Sequence, residues 1–179
     1  MTPISGWLNP TRLIGLTAYL FAFVCCVIAW IGLREIPLPR RLAAILAVLE
    51  AALFLDMAIS GRWLLHDLLS DEAGARGLYA MRAGPQIAAL SFLGACATVG
   101  MASALRRLRG RSGATLAACG GILSVWCWCV EVVSLHGVDR VLYQTVDGVM
   151  VVSLVWIACT LMTGVGVVWY MFDVRSHER

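Results

Sequence analysis

The sequence predicts an all-α membrane protein, a single-domain bundle of five transmembrane helices with a non-cytoplasmic N-terminus and a cytoplasmic C-terminus. Three observations carry this expectation. The 179-residue chain is 60% hydrophobic and only 14% charged, with a mean hydropathy of +0.83; soluble domains sit near about 45–50% apolar and about 25% charged. Its apolar residues fall into runs long enough to cross a ~30 Å hydrocarbon core. Its basic residues, all arginine, gather in the connections of one side.

Met1–Thr11 carries Pro3, Pro10 and Trp7 and reads as an interfacial lead-in. The first span covers 12–33; it is too long for a cleavable signal peptide and is followed by the positive Arg34. The loop REIPLPRR (34–41) stops that helix with two prolines. The second span, 42–64, opens a helix that reads on to Leu69 as LAAILAVLEAALFLDMAISGRWLLHDLL. A charged connection with several glycines follows, Ser70–Gly84, read as a short surface helix or loop. The third span, 84–105, has Pro85 near its start, where proline is tolerated, and ends in RRLRGR (106–111). The fourth span, 113–135, opens on small residues; LHGVDRVLYQTVD (135–147) connects it to the fifth, 148–172. A polar tail, DVRSHER, follows.

By parity, the loops holding Arg34, Arg40, Arg41, Arg106, Arg107, Arg109 and Arg111 lie on one side. The positive-inside rule assigns that side to the cytoplasm. The opposite side mixes Arg62, Arg76, Arg82 and Arg140 with Asp67, Asp71, Glu72, Asp139 and Asp147. A multi-pass protein of a cell membrane, the bacterial inner membrane in particular, is the expected setting. The all-arginine composition reads as codon bias, and the net charge of +3 is too small and too divided to point to nucleic acid.

All seven cysteines lie in apolar segments without CxxC or zinc-type spacing, and are expected to be free, small buried hydrophobes. Gly94, Gly120, Gly121 and the Thr160–Gly164 pair supply small residues for close helix packing.

The chemistry sits at the arginine-poor end. A carboxylate in hydrocarbon costs several kcal/mol and is rarely kept without a partner or a task. On a continuous helix advancing about 100° per residue, Asp56, Ser60, Trp63 and Asp67 form one polar stripe. Glu50 points the other way and is expected to be a neutral, hydrogen-bonded acid between helices. Ser124, Cys127, Glu131 and Ser134 form a second stripe, with Trp128 beside it. Counting ~1.5 Å per residue places Asp56 and Glu131 at a similar depth. Gln86 enters at that height, Asp147 caps the fifth span, and Arg62, His66, Asp67, Arg82, His136, Asp139, Arg140, Tyr143 and Gln144 stand at the rim.

Several readings follow. In the first, Asp56, Glu131, His66, Asp67, His136 and Asp139 do acid–base work on a lipid-phase, isoprenoid- or acyl-like molecule. Trp63, Trp128, Arg62, Arg82, Gln86, Arg140 and Tyr143 would then hold it, with aromatic faces available to a tail or a developing cation. In the bland alternative Arg62, Arg82 and Arg140 merely neutralise Asp56, Glu131 and Asp147 and lock helices together. A third makes the chain a non-catalytic subunit of a larger respiratory, photosynthetic or transport complex, with partner membrane subunits docked at the charged rim. A fourth lets His66 and His136 ligate haem, or join Asp67 and Asp139 around a metal. A transporter is disfavoured by the odd number of spans and the lack of a broken one. No GxSxG, HExxH, P-loop or haem-attachment motif is present.

Overall fold

The computed structural model describes residues 9–77, 81–133, 135–146 and 148–177. Five helices are long and apolar enough to cross a membrane: α1 (Pro10–Gly32), α2 (Pro37–Ile59), α4 (Ala83–Arg107), α5 (Ser112–Val133) and α7 (Val151–His177). Two further helices, α3 (Gly61–Ala75) and α6 (His136–Leu142), and a hairpin of β1 (Thr145–Val146) and β2 (Val149–Met150), lie among the connections at one end. The hairpin is antiparallel, with Thr145 opposite Met150 and Val146 opposite Val149.

The helix starts follow local chemistry. Asn9 caps α1, its side chain accepting from the Thr11 amide at 3.0 Å, and Pro10 stands at the first turn where its missing N–H costs nothing. Pro37 does the same for α2. Arginines satisfy carbonyls at two helix ends: Arg12 donates to Ala58 O at the end of α2, and Arg175 to Gly32 O at the end of α1, 2.7 Å away.

One expectation fails here. The run from Leu42 to Leu69 is not a single helix: it breaks at Ser60, a non-glycine residue in the left-handed region with φ +60°, which ends α2 and precedes α3. The chain turns at this point, and the stripe of Asp56, Ser60, Trp63 and Asp67 does not exist as a continuous face. The signal was legible in Ser60–Gly61, a pair that commonly marks turns.

The core is built from α1, α2, α5 and α7, while α4 packs chiefly on α5. The closest seam joins α5 to α7. A Cβ at Gly120 would stand 2.6 Å from the Thr163 backbone nitrogen and 2.8 Å from Cys159 O, so any side chain there would force the helices apart. The other predicted small positions divide: Gly121 lies under Leu46 and Leu49, Gly164 under Phe21, and Gly94 is only loosely approached by Trp126. At the arginine-rich end Cys26, Ala29, Leu46, Val167 and Met171 pack together. At the other end the cluster is Tyr19, Leu53, Met57, Cys127, Val152 and Trp156. All seven cysteines are free. No residue of α4 is buried.

Candidate functional site

The turn at Ser60 decides the geometry of the site. It sends Arg62, from the first turn of α3, back into the bundle, where the side chain is only 3% exposed. Its Nε donates to Asp56 Oδ2 at 2.7 Å and its Nη1 to Glu131 Oε2 at 2.7 Å. Asp56 and Glu131, on α2 and α5, do share a height, and one guanidinium spans them. Gly61 permits the approach: a Cβ there would sit 2.7 Å from Asp56 Oδ1. The carboxylate thereby stands at the start of α3, the end of a helix that favours negative charge.

Glu131 is saturated. Besides Arg62 it accepts from Trp156 Nε1 at 2.8 Å and from the Cys127 thiol at 3.6 Å. The guanidinium lies over the Trp156 ring, 5.4 Å from its centroid, a geometry that adds cation–π attraction. Burial by itself would lower the Arg62 pKa; the nearby anions, Glu131 foremost, reverse this and raise it, so the side chain stays a cation. Its third nitrogen, Nη2, is buried and makes no hydrogen bond. The Tyr19 hydroxyl stands beside the guanidinium outside hydrogen-bonding geometry.

A cavity of about 200 Å³ opens against this cluster, lined among others by Arg12, Arg62, Trp63, Glu131, Tyr143 and Trp156. The Trp63 and Tyr143 rings pack against each other, tilted by 38° with centroids 5.6 Å apart. Tyr143 Oη is buried and, like Arg62 Nη2, makes no hydrogen bond among the described residues. Burial, reinforced by the charges of Glu131 and Asp139, raises the Tyr143 pKa, which keeps the phenol a donor.

The other predicted residues scatter. His66, Arg82 and Gln86 line a separate cavity of about 340 Å³ between α3, α4 and α5. Two of them are engaged with the last turn of α5: His66 Nδ1 lies 3.2 Å from Val132 O, which makes it the donor, and Gln86 Nε2 donates to Val133 O at 3.1 Å. Trp128 is half-buried, with its indole nitrogen unbonded. Asp67 and Arg140 are exposed, and Asp139 is half-buried on α6. The side chain of His136, and residues Ser134 and Asp147, lie outside the described residues. Among the described residues no three His, Cys, Asp or Glu side chains gather as a metal site.

Glu50 departs from expectation. It is fully buried, yet among the described residues neither oxygen makes a hydrogen bond; the neighbouring Thr163 hydroxyl donates to Cys159 O.

Sequence reasoning missed Trp156 and Arg12. Trp156 sits in a stripe of Ser153, Trp156, Thr160 and Thr163 along α7, all buried, and that spacing could have singled it out. Arg12 was legible only as the flank of a span. No family model matches the chain, and neither a curated protein nor a solved structure matches it.

Proposed function

We propose that this is a multi-pass cell-membrane protein that binds a lipid-phase amphiphile, with the head group in the cavity beside Arg62. The observation that carries the reading is a buried cation with a spare donor: Arg62 gives two nitrogens to Asp56 and Glu131 and leaves Nη2 unbonded, at a cavity walled by Trp63, Tyr143 and Trp156. A buried polar donor without an acceptor costs about 1–3 kcal/mol, which a bound acceptor would recover. Binding is favoured over acid–base turnover because Arg62 occupies both carboxylates. Asp56 and Glu131 therefore act as holders of the guanidinium, and His66, Asp67 and Asp139 stand apart from it.

The positive-inside rule gives the orientation. The end holding Arg34, Arg40, Arg41, Arg106, Arg107, Arg109 and Arg111 faces the cytoplasm, and the cavity opens near the opposite surface of what we take to be a bacterial inner membrane. The α3 helix fits an interfacial position there, with Leu64, Leu68 and Leu69 exposed beside Asp67, Asp71 and Glu72.

The test is extraction of the protein with its native lipids and mass spectrometry of what co-purifies. A specific amphiphile is expected with the natural chain and is lost from a cavity-filling Met150→Trp variant. The same lipid complement in both would overturn the reading.

A second reading has its own observation. A groove of about 420 Å³ between α2, α4 and α5, lined by residues such as Ile45, Leu93, Ala97 and Ile122, together with the unburied α4, suits a subunit that docks other membrane helices. Co-purification of stoichiometric partners, lost on polar substitution of Leu93, would favour it.

A further inference from the structure

We infer that the head group taken by the cavity is a neutral, planar, carbonyl-bearing ring of the quinone class, not a phosphate or other anion. This rests on the amphiphile-binding reading above and specifies its chemistry. Size comes first. A cavity of about 150 Å³ accommodates a benzene ring, so one of about 200 Å³ suits a single substituted ring. The lining suits an apolar ring: Trp63, Tyr143 and Trp156 contribute aromatic surface, and Met57 and Met150 adaptable thioethers.

The hydrogen-bonding inventory is one-sided. Arg62 Nη2 and Tyr143 Oη are buried polar atoms at the cavity that make no hydrogen bond among the described residues. Guanidinium nitrogens only donate, and the phenol retains its proton. A guanidinium N–H and a phenol O–H that can both donate in one small space are matched by an occupant bearing acceptors, and a ring with two carbonyl oxygens supplies them.

Charge then separates the neutral ring from an anion. Arg62 and Arg12 are the cations at the cavity, and Arg62 is already bonded to Glu131 and Asp56. Two positive groups against two negative ones leave no surplus charge to draw a phosphate. An anion would also face the Glu131 carboxylate, whereas a carbonyl oxygen accepts from both donors without altering the balance.

The purified full chain in detergent is titrated with three probes sharing one tail: a decyl-substituted benzoquinone, decyl phosphate and decanol. The readout is the midpoint of thermal unfolding. The quinone is expected to raise it saturably, with decyl phosphate and decanol giving no saturable shift. In Tyr143→Phe, which removes a hydroxyl with no hydrogen-bond partner among the described residues, about tenfold more quinone is needed, while the unliganded midpoint stays in place. Saturation by decyl phosphate without the quinone overturns the head-group assignment and leaves amphiphile binding standing. Equal saturation by decanol, or a Tyr143→Phe variant with unchanged quinone affinity, overturns the assignment as well. Failure of all three probes, with no amphiphile in the native extract, overturns both the assignment and the reading beneath it.

Discussion

Glu131 and Glu50 are buried glutamates on neighbouring helices, 3% and 0% exposed respectively, and the fold treats them in opposite ways. Glu131 meets an arginine, an indole N–H and a thiol drawn from three different elements. Glu50 lies among Cys26, Cys159 and Thr163, and among the described residues neither of its oxygens makes a hydrogen bond, the nearby Thr163 hydroxyl donating to Cys159 O. Burial alone therefore says little about what an acidic residue does for a membrane bundle. The partner set decides. Glu131 ties α3, α5 and α7 together through one side chain, so its removal acts on three elements at once. Glu50 adds the desolvation cost of a polar group and returns no bond for it.

Substitutions can break or sharpen this contrast. The largest effect is expected from Arg62→Met, which leaves Asp56 and Glu131 buried without their cation. Unpairing a buried ion pair costs about 3–5 kcal/mol, to be read from denaturant unfolding in detergent micelles. A loss below about 1 kcal/mol would place the cluster with exposed surface pairs. Next comes Trp156→Phe, which keeps the aromatic ring and removes the N–H to Glu131; about 2 kcal/mol should be lost for a hydrogen bond to a charged group, seen as a lower thermal midpoint. The sign reverses at Glu50. Its replacement by leucine should stabilise the bundle by about 1 kcal/mol, since an unsatisfied buried group gives way to an apolar one, and the same unfolding assay would reveal a loss if Glu50 had a hidden partner. Smallest is Tyr143→Phe without ligand, expected within about 0.5 kcal/mol of the natural chain because its hydroxyl is unbonded; surface-like neutrality of this size is ordinary.

The long helices were legible because uncharged runs and flanking arginines are coarse signals that a one-residue error does not disturb. The depth match of Asp56 and Glu131 was legible for the same reason, since height depends only on counting along each helix. Direction around the axis was not. A single left-handed residue at Ser60 rotates everything after it, so Arg62 turned inward while Asp67, assigned to the polar stripe, came out exposed. The short elements α6 and β1–β2 were read only as a polar connection, because seven- and two-residue segments leave no periodicity to find. Trp156 was hidden by an abundance of tryptophan, whose usual place at membrane interfaces gave no reason to look for a partner.

The order in which the spans arise adds a consequence of the seam between α5 and α7. Until α7 is synthesised, the glycine-lined side of α5 lacks its α7 partner, α1 lacks one of its two main neighbours, and Glu131 has no indole N–H to accept from. The packing of α1 and α5 is therefore completed only by α7, not by successive addition of the helices before it. Without α7, Glu131 keeps Arg62 but loses its indole donor, and the close-packed side of α5 at Gly113 and Gly120 stands uncovered.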